Sequence, residues 1–130
     1  MAKFVASTSM SVSAAVAEIT GAMESAGMML FATIDHGENA VNVGLDLPAT
    51  VVITTGNPKV GTDLISSYPD LALELPPRLL VRETPQGTEV WLASVVESLA
   101  RLAGAPSDPA AEKIDGRLSS IVATALHLDS

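Results

Sequence analysis

The stretch TVVITTGNPKVGT, at residues 50–62, joins a β-branched run to a polar turn bounded by glycines. Residues 51–55 have the composition of a buried strand, while Asn57 and Pro58 are residue types that cap and begin a helix. The stretch therefore predicts a strand that passes directly into a helix. The first turn of a helix leaves backbone N–H groups available to an anion, and Lys59 lies in that turn. Gly56, Gly61 and Thr62 complete the candidate ligand-binding loop.

Two further motifs flank this stretch. Ile34-Asp35-His36 precedes it, and LPPRLLV at residues 75–81 follows it. In this order the motifs resemble the uncharacterised bacterial and archaeal family catalogued as domain of unknown function 302, over about the first three quarters of the chain. The resemblance implies a small α+β domain that forms a dimer and has no assigned activity.

The size and composition of the chain indicate one domain. The hydrophobic content of 48% is enough for one core, and a length of 130 residues is too short for two ordinary domains. We predict a single domain over residues 1–130, with a core at 1–104 and a C-terminal helical extension at 107–130. No apolar run approaches the 18 or so residues of a membrane span, and we expect a cytoplasmic protein with no membrane partner.

The charge and the residue types exclude several function classes. A net charge of −8 repels phosphate backbones, and the few aromatic residues cannot build a base-stacking platform, so we expect no nucleic-acid partner. The chain has no cysteine, which removes disulfides, thiolate metal sites and thiol catalysis. We expect no cofactor and no resident metal.

The order of predicted elements is a strand, a helix with Ser11 as its N-cap, four strands interrupted by two short helices, and C-terminal helices. The last two strands, at residues 78–83 and 89–93, are predicted to form a β-hairpin. The order of elements predicts an α+β fold, a two-layer sandwich in which one mixed or mainly antiparallel sheet carries helices on one face. This order is similar to the TATA-binding-protein-like topology, β-α-β4-α. Period-2 alternation in the strand at residues 28–35 groups Leu30, Ala32 and Ile34, which we expect to face the helices. Trp91 is expected on the opposite, open face, where a second subunit would bury it.

The loop at residues 56–62 has a functional and a structural interpretation. Asn57 as a cap and Pro58 as the first helical residue explain much of it by fold alone. Lys59 is less easily explained, because a cation in the first turn opposes the helix macrodipole unless a negative group is near. Candidate negative groups are Asp63, Asp35 or Glu38, or a bound anionic ligand. The loop is not a phosphate-binding P-loop, which needs lysine directly after its second glycine.

His36 and Asp35 are the candidate catalytic residues. His36 follows Asp35 at a strand end, while Asp35 and Glu38 have the spacing of a helix cap. The structural alternative is that His36 packs at the start of the short helix that follows. Because no second histidine accompanies His36, these residues form a poor ligand set for zinc or iron.

Three hypotheses follow from these residues. The first is a homodimer that binds a small anionic metabolite at Asp35-His36 and the Gly56 to Thr62 loop. The second is an enzyme in which His36, oriented by Asp35, acts as general acid or base on a substrate held by Lys59. Both require the two motifs to lie side by side. The third is a structural or partner-binding module, in which His36 is buried without a pocket and Lys59 pairs internally.

Overall fold

Ten regular helices and strands make up a computed structural model that describes residues 2–105 and 107–127. The strands are β1 (Ala2–Thr8), β2 (Met29–Asp35), β3 (Thr50–Gly56), β4 (Arg78–Thr84) and β5 (Gly87–Ala93). The helices are α1 (Val12–Ser25), α2 (His36–Asn42), α3 (Pro58–Ser67), α4 (Val95–Ala103) and α5 (Pro109–Ala125), with a short 3-10 helix at Pro69–Leu73. Residues 1, 106 and 128–130 of the predicted domain lie outside the described residues.

The five strands form one antiparallel sheet in the order β1-β5-β4-β3-β2. Its inward face carries fully buried side chains such as Ile53 and Leu79, whereas their neighbours Val52 and Leu80 are only half-buried on the other face. Helices α1 and α5 cover the inward face. The predicted α+β class, with one sheet and helices packed on one side, is confirmed.

The main core lies between the inward sheet face and the apolar stripes of α1 and α5. Ile19 and Met23 of α1 and Leu118 and Val122 of α5 are fully buried. They recur at helical spacing, so each helix directs one stripe to the sheet. A second, smaller cluster joins α3, the 3-10 helix, α4 and the first turn of α5; it contains Leu64, Leu71, Val95, Leu99 and Ala111. This cluster fixes α3 beside α5.

Side-chain caps begin the helices where the sequence predicted them. Ser11 Oγ accepts from the amide three residues on at 3.1 Å, and Asp35 Oδ1 accepts in the same way at 2.9 Å. Asn57 Oδ1 accepts from the amide of Lys59 at 3.0 Å. Each cap satisfies a backbone donor that the first helical turn leaves free, so these three helix starts are set locally. The three predicted caps are confirmed.

The expectation for the faces of β2 is wrong, because the strand contains a bulge. The pairing of β2 with β3 shifts register between Leu30 and Ala32. A residue inserted into one strand reverses the side on which the following side chains project. Ile34 therefore lies opposite Val52, on the helix-free face, and is 41% exposed.

Candidate functional site

The two sequence motifs lie at opposite ends of the same strand pair. Asp35 pairs with Val51 at the start of β3, whereas Gly56 at the end of β3 pairs with Met29. Five residues of extended chain span about 17 Å. The requirement that Asp35 and His36 lie beside the loop of Lys59 is therefore not met. The physical reason is the antiparallel pairing, which places the end of β2 beside the beginning of β3.

Asp35 and His36 have simple surroundings in the fold. The Asp35 carboxylate caps α2 by accepting from the amide of Glu38. His36 is the first residue of α2, is exposed, and makes no side-chain hydrogen bond to any described residue. The structural expectation that His36 is buried is wrong. Exposed histidine beside a capping carboxylate gives no enclosed space in which a substrate could be held.

The loop after β3 is shaped by a close approach of two backbones. The amide of Thr55 donates to the carbonyl of Pro77 at 3.1 Å, and a Cβ added to Gly56 would lie 3.2 Å from the Pro77 Cδ atom. A side chain at position 56 would therefore require the Pro77 ring to shift by a few tenths of an ångström. In the turn that follows, Pro58 has no N–H and the amide of Lys59 is taken by Asn57. Few amides at this helix start are left for an anion.

A cleft of about 590 Å³ opens beside this loop, between α3 and the first half of α5. Gly56, Asn57 and Gly61 line it, so three of the five predicted ligand-binding residues lie at the cleft. Lys59 and Thr62 are exposed and do not line it. Its apolar wall consists of Met28, Val60, Leu64, Leu75, Pro77 and Ile114.

Both positively charged groups at the cleft come from α5. Lys113 and Arg117 line it from one helix face, since they are four residues apart. The Arg117 guanidinium donates to the carbonyl of Ala26 at 3.3 Å, while Lys113 forms no ion pair with any described residue. The sequence reasoning missed both residues. Their i, i+4 spacing was visible, but nothing local connects α5 with a loop about fifty residues earlier.

Two carboxylates also line the cleft, and they differ in their surroundings. Asp108 caps α5 by accepting from the amide of Ala110 at 2.8 Å and accepts from the Tyr68 hydroxyl at 3.2 Å. That hydrogen bond to a carboxylate raises the pKa of the Tyr68 hydroxyl, with burial as a smaller cause. Asp63 lines the cleft and pairs with no basic side chain in the described ranges. The cleft therefore presents both signs of charge over an apolar wall.

Lys59 is an exposed cation in the first turn of α3. Within residues 2–105 and 107–127 it pairs with none of the carboxylates considered for it, Asp63, Asp35 and Glu38. Among the described residues, the structural expectation that Lys59 pairs internally is not met. Nor do the described residues contain a group of three or more histidine, aspartate or glutamate side chains that could hold a metal ion.

Comparison with known proteins finds a family match for the sequence and a solved structure with a similar fold. The sequence profile of the family described as domain of unknown function DUF302 matches residues 4–125. The chain belongs to this family. The crystal structure of an uncharacterized conserved DUF302 protein from Bacillus stearothermophilus superposes with a TM-score of 0.75 and 16% sequence identity, over 98% of this chain and 96% of that one. At this identity the likeness shows that the two DUF302 proteins share a fold.

Part of this DUF302 chain also resembles larger proteins. It is 39% identical over 82 residues to the fluoride-specific ion channel FluC 1 of Brucella suis, covering 63% of this chain and 32% of the channel protein. The fluoride-specific ion channel FluC 1 of Brucella abortus matches over the same length at 39%, covering 30% of that protein. The chain thus spans about a third of these relatives. In the described part of the chain, no helix is both long and apolar enough to cross a membrane.

Proposed function

We propose that this protein is a cytoplasmic homodimer that binds a small organic anion in the cleft between α3 and α5. The observation that carries this proposal is the arrangement of Lys113 and Arg117 over an apolar wall in a cleft of about 590 Å³. Small-molecule sites have volumes of about 300–1,000 Å³ and combine apolar walls with a few placed polar groups. The cleft has these properties.

The charges at the cleft select among anions. Arg117 offers a planar guanidinium, which suits a carboxylate or a phosphate, and Lys113 adds a mobile point charge. Asp63 and Asp108 are the opposing charges, and a polyanion placed beside them would be repelled. We therefore favour a ligand with one anionic group and an apolar or cationic remainder, such as a carboxylate metabolite. Lys113, which has no ion-pair partner among the described residues, is the side chain that gains most from such a ligand.

The predicted ligand residues have different parts in this proposal. Gly56, Asn57 and Gly61, from the end of β3 to the first turn of α3, form part of the cleft wall. Lys59 and Thr62 stand outside it on the same helix, where Lys59 can attract an anion without enclosing it. Asp35 and His36 are not used, since about 17 Å of β3 separates them from this loop. The proposal is therefore one of binding rather than of acid–base catalysis.

A comparison of two lysine variants tests the position of the site. Wild-type protein is screened by thermal shift against organic anions, nucleotides and divalent metals, and any hit is titrated against Lys113→Ala and Lys59→Ala. Because both lysines lack an ion-pair partner in the described residues, neither change should destabilise the fold appreciably. We expect Lys113→Ala to weaken binding at least about tenfold and Lys59→Ala to weaken it less.

If Lys59→Ala weakened binding more than Lys113→Ala, the site would lie on the outer side of α3 instead of in the cleft. A screen without hits at ligand concentrations far above micromolar would contradict a binding function, because a ligand that binds only the folded state raises the melting temperature.

A second candidate function is association with a fluoride channel. It is favoured by two observations: the 82 matched residues correspond to about a third of the channel protein from Brucella suis, and no described helix of this chain could span a membrane. The matched third would then be a part of that protein beside the pore. The cleft is far larger than a halide ion, which is about the size of a water molecule, so this role would operate through protein contact.

Reconstitution tests this second role. The Brucella suis protein without its matched region is placed in liposomes, and fluoride efflux is measured with and without this chain. Association predicts a changed efflux rate and co-sedimentation of the chain with the liposomes. Equal rates and no co-sedimentation would reject the role and leave the ligand proposal unaffected.

A further inference from the structure

One segment of the fold carries most of the exposed apolar surface. Of the ten large hydrophobic side chains that are exposed among the described residues, eight lie between positions 29 and 47. They are Met29, Leu30, Phe31, Ile34, Val41, Val43, Leu45 and Leu47. We call this stretch, which consists of β2, α2 and the loop to β3, the β2–α2 surface. Single exposed hydrophobic residues are ordinary, whereas eight within nineteen residues of one segment call for a partner.

The β2–α2 surface includes an edge of the sheet. In the sheet order, β2 pairs only with β3, so the other side of its backbone has free N–H and C=O groups. All seven residues of β2 are exposed. Natural proteins commonly protect such edges with lysine or proline, and β2 has neither, although its bulge offers partial protection. A partner that supplies a strand would satisfy these groups.

The area of this surface matches what a stable dimer needs. At a full accessible area of about 200 Å² for a large apolar residue, the exposed fractions of the eight side chains amount to at most about 800 Å² per chain on the two faces of the sheet, and a standard interface buries a similar area on each partner. The same surface carries Asp35, Glu38 and Asp46 and no lysine or arginine. Carboxylates without basic residues disfavour an anionic membrane as the occupant.

We propose that a second copy of the chain covers the β2–α2 surface by antiparallel pairing of the two β2 strands. A two-fold axis places the β2 strands of the two copies side by side and antiparallel, so the same edge serves in both subunits. The two five-stranded sheets then join into a single sheet of ten strands. Antiparallel pairing also places the two Asp35 carboxylates at opposite ends of the paired strands. The inference specifies the interface of the homodimer proposed above and rests on that dimer, but it does not depend on the ligand.

The structure moves this interface away from Trp91. Trp91 does lie on the open face, opposite Leu80, but its surroundings are supplied by its own chain. Phe4 packs against its ring edge-on with centroids 5.3 Å apart, the Arg82 guanidinium lies 5.3 Å from the ring centre, and Nε1 donates to Glu89 at 3.1 Å. Trp91 therefore already has a partner for its N–H group, an aromatic contact and a cation–π contact, and it gains less from burial against a second subunit.

A matched pair of leucine variants tests the interface. Leu45, in the β2–α2 surface, is 64% exposed, and Leu73, in the 3-10 helix, is 80% exposed. We compare wild type, Leu45→Glu and Leu73→Glu by sedimentation velocity from about 1 to about 100 µM, because dimer mass depends on concentration. Circular dichroism confirms folding. The dimer mass is twice the 13.4 kDa of the chain.

We expect a wild-type dimer, a dissociation constant at least about tenfold higher for Leu45→Glu, and no comparable change for Leu73→Glu. Hydrogen exchange should show β2 amides more protected in wild type at high concentration than in Leu45→Glu. A wild-type dimer that is unaffected by Leu45→Glu would overturn this interface and leave the homodimer standing. A wild-type monomer at about 100 µM would overturn both, without bearing on the cleft.

Discussion

The two helical glycines Gly61 and Gly21 allow the cleft to be filled with a matched control. Gly61 is the fourth residue of α3 and lines the cleft, and the nearest atom to a Cβ built there is Leu75 Cδ1 at 3.9 Å. Gly21 lies inside α1, is exposed, and a Cβ there meets nothing within 4 Å. Both positions accept a side chain, but only the first directs it beside the proposed ligand.

The change Gly→Leu should stabilise the fold at both positions. Glycine in a helix interior is about 0.8–1.0 kcal/mol less favourable than alanine, and leucine is close to alanine. We therefore expect Gly61→Leu and Gly21→Leu each to raise the free energy of unfolding by about 0.5–1 kcal/mol. For a chain of 130 residues this corresponds to a few degrees in melting temperature. Four carbon atoms at position 61 would also occupy ligand space, and we expect at least a tenfold weaker affinity, about 1.4 kcal/mol.

Urea denaturation measures the stability of the two variants, and isothermal titration with a ligand from the screen measures affinity. The reasoning is refuted if Gly61→Leu binds as tightly as wild type, because the ligand would then lie elsewhere. Loss of binding in Gly21→Leu as well would show that the effect is not local. A strongly destabilised Gly61→Leu would contradict the open space beside that residue.

Three further predictions concern stability, each measured by urea denaturation. Asp115→Asn should cost about 1.5–3 kcal/mol, because the buried carboxylate accepts from the hydroxyl of Ser94 at 2.6 Å and from two amides of α4; an unchanged stability would show that the charge is not needed. Gly87→Ala should cost about 2 kcal/mol or more, since φ is +134° and the new Cβ would lie 2.7 Å from a backbone oxygen; a neutral effect would mean that the hairpin relaxes freely. The hydrogen bond from Arg101 lowers the pKa of Glu74, so the folded state releases this proton more readily than the unfolded state and the pair stabilises only above the folded pKa. Glu74→Gln should therefore cost up to about 1 kcal/mol at pH 7, a difference that shrinks as the pH falls below 4.5; a difference independent of pH would exclude the ion pair as its source.

Features set within a few residues could be predicted from the sequence. The caps at Ser11, Asp35 and Asn57 need only their own side chain and the next turn, and all three are present. The hairpin at residues 78–93 is of the same kind, because its two alternating runs and its turn are adjacent in the chain. The fold class followed from the order of these local elements.

Features that depend on strand pairing could not be predicted in this way. The bulge at Phe31 leaves no distinctive residue, yet it reverses the side on which Ile34 projects. The relation of His36 to Lys59 depended equally on the direction of pairing between β2 and β3. Two motifs that follow strands come together when those strands are parallel neighbours and are separated when they are antiparallel, and the local sequence does not distinguish these cases.

The distribution of positive charge favours the cleft over the predicted loop as the anion site. Three arginines, at positions 78, 82 and 101, pair with Glu74 or Glu89, so their charge is compensated within the fold. Lys113 and Arg117 instead bring two positive charges to one concavity, which Asp63 and Asp108 also line. The net charge of −8 repels an anion at long range, so recognition must come from contacts within a few ångströms. Lys113, Arg117 and Lys59 are all exposed, but only the first two lie beside the apolar wall of the cleft, which can add such contacts to an ion pair.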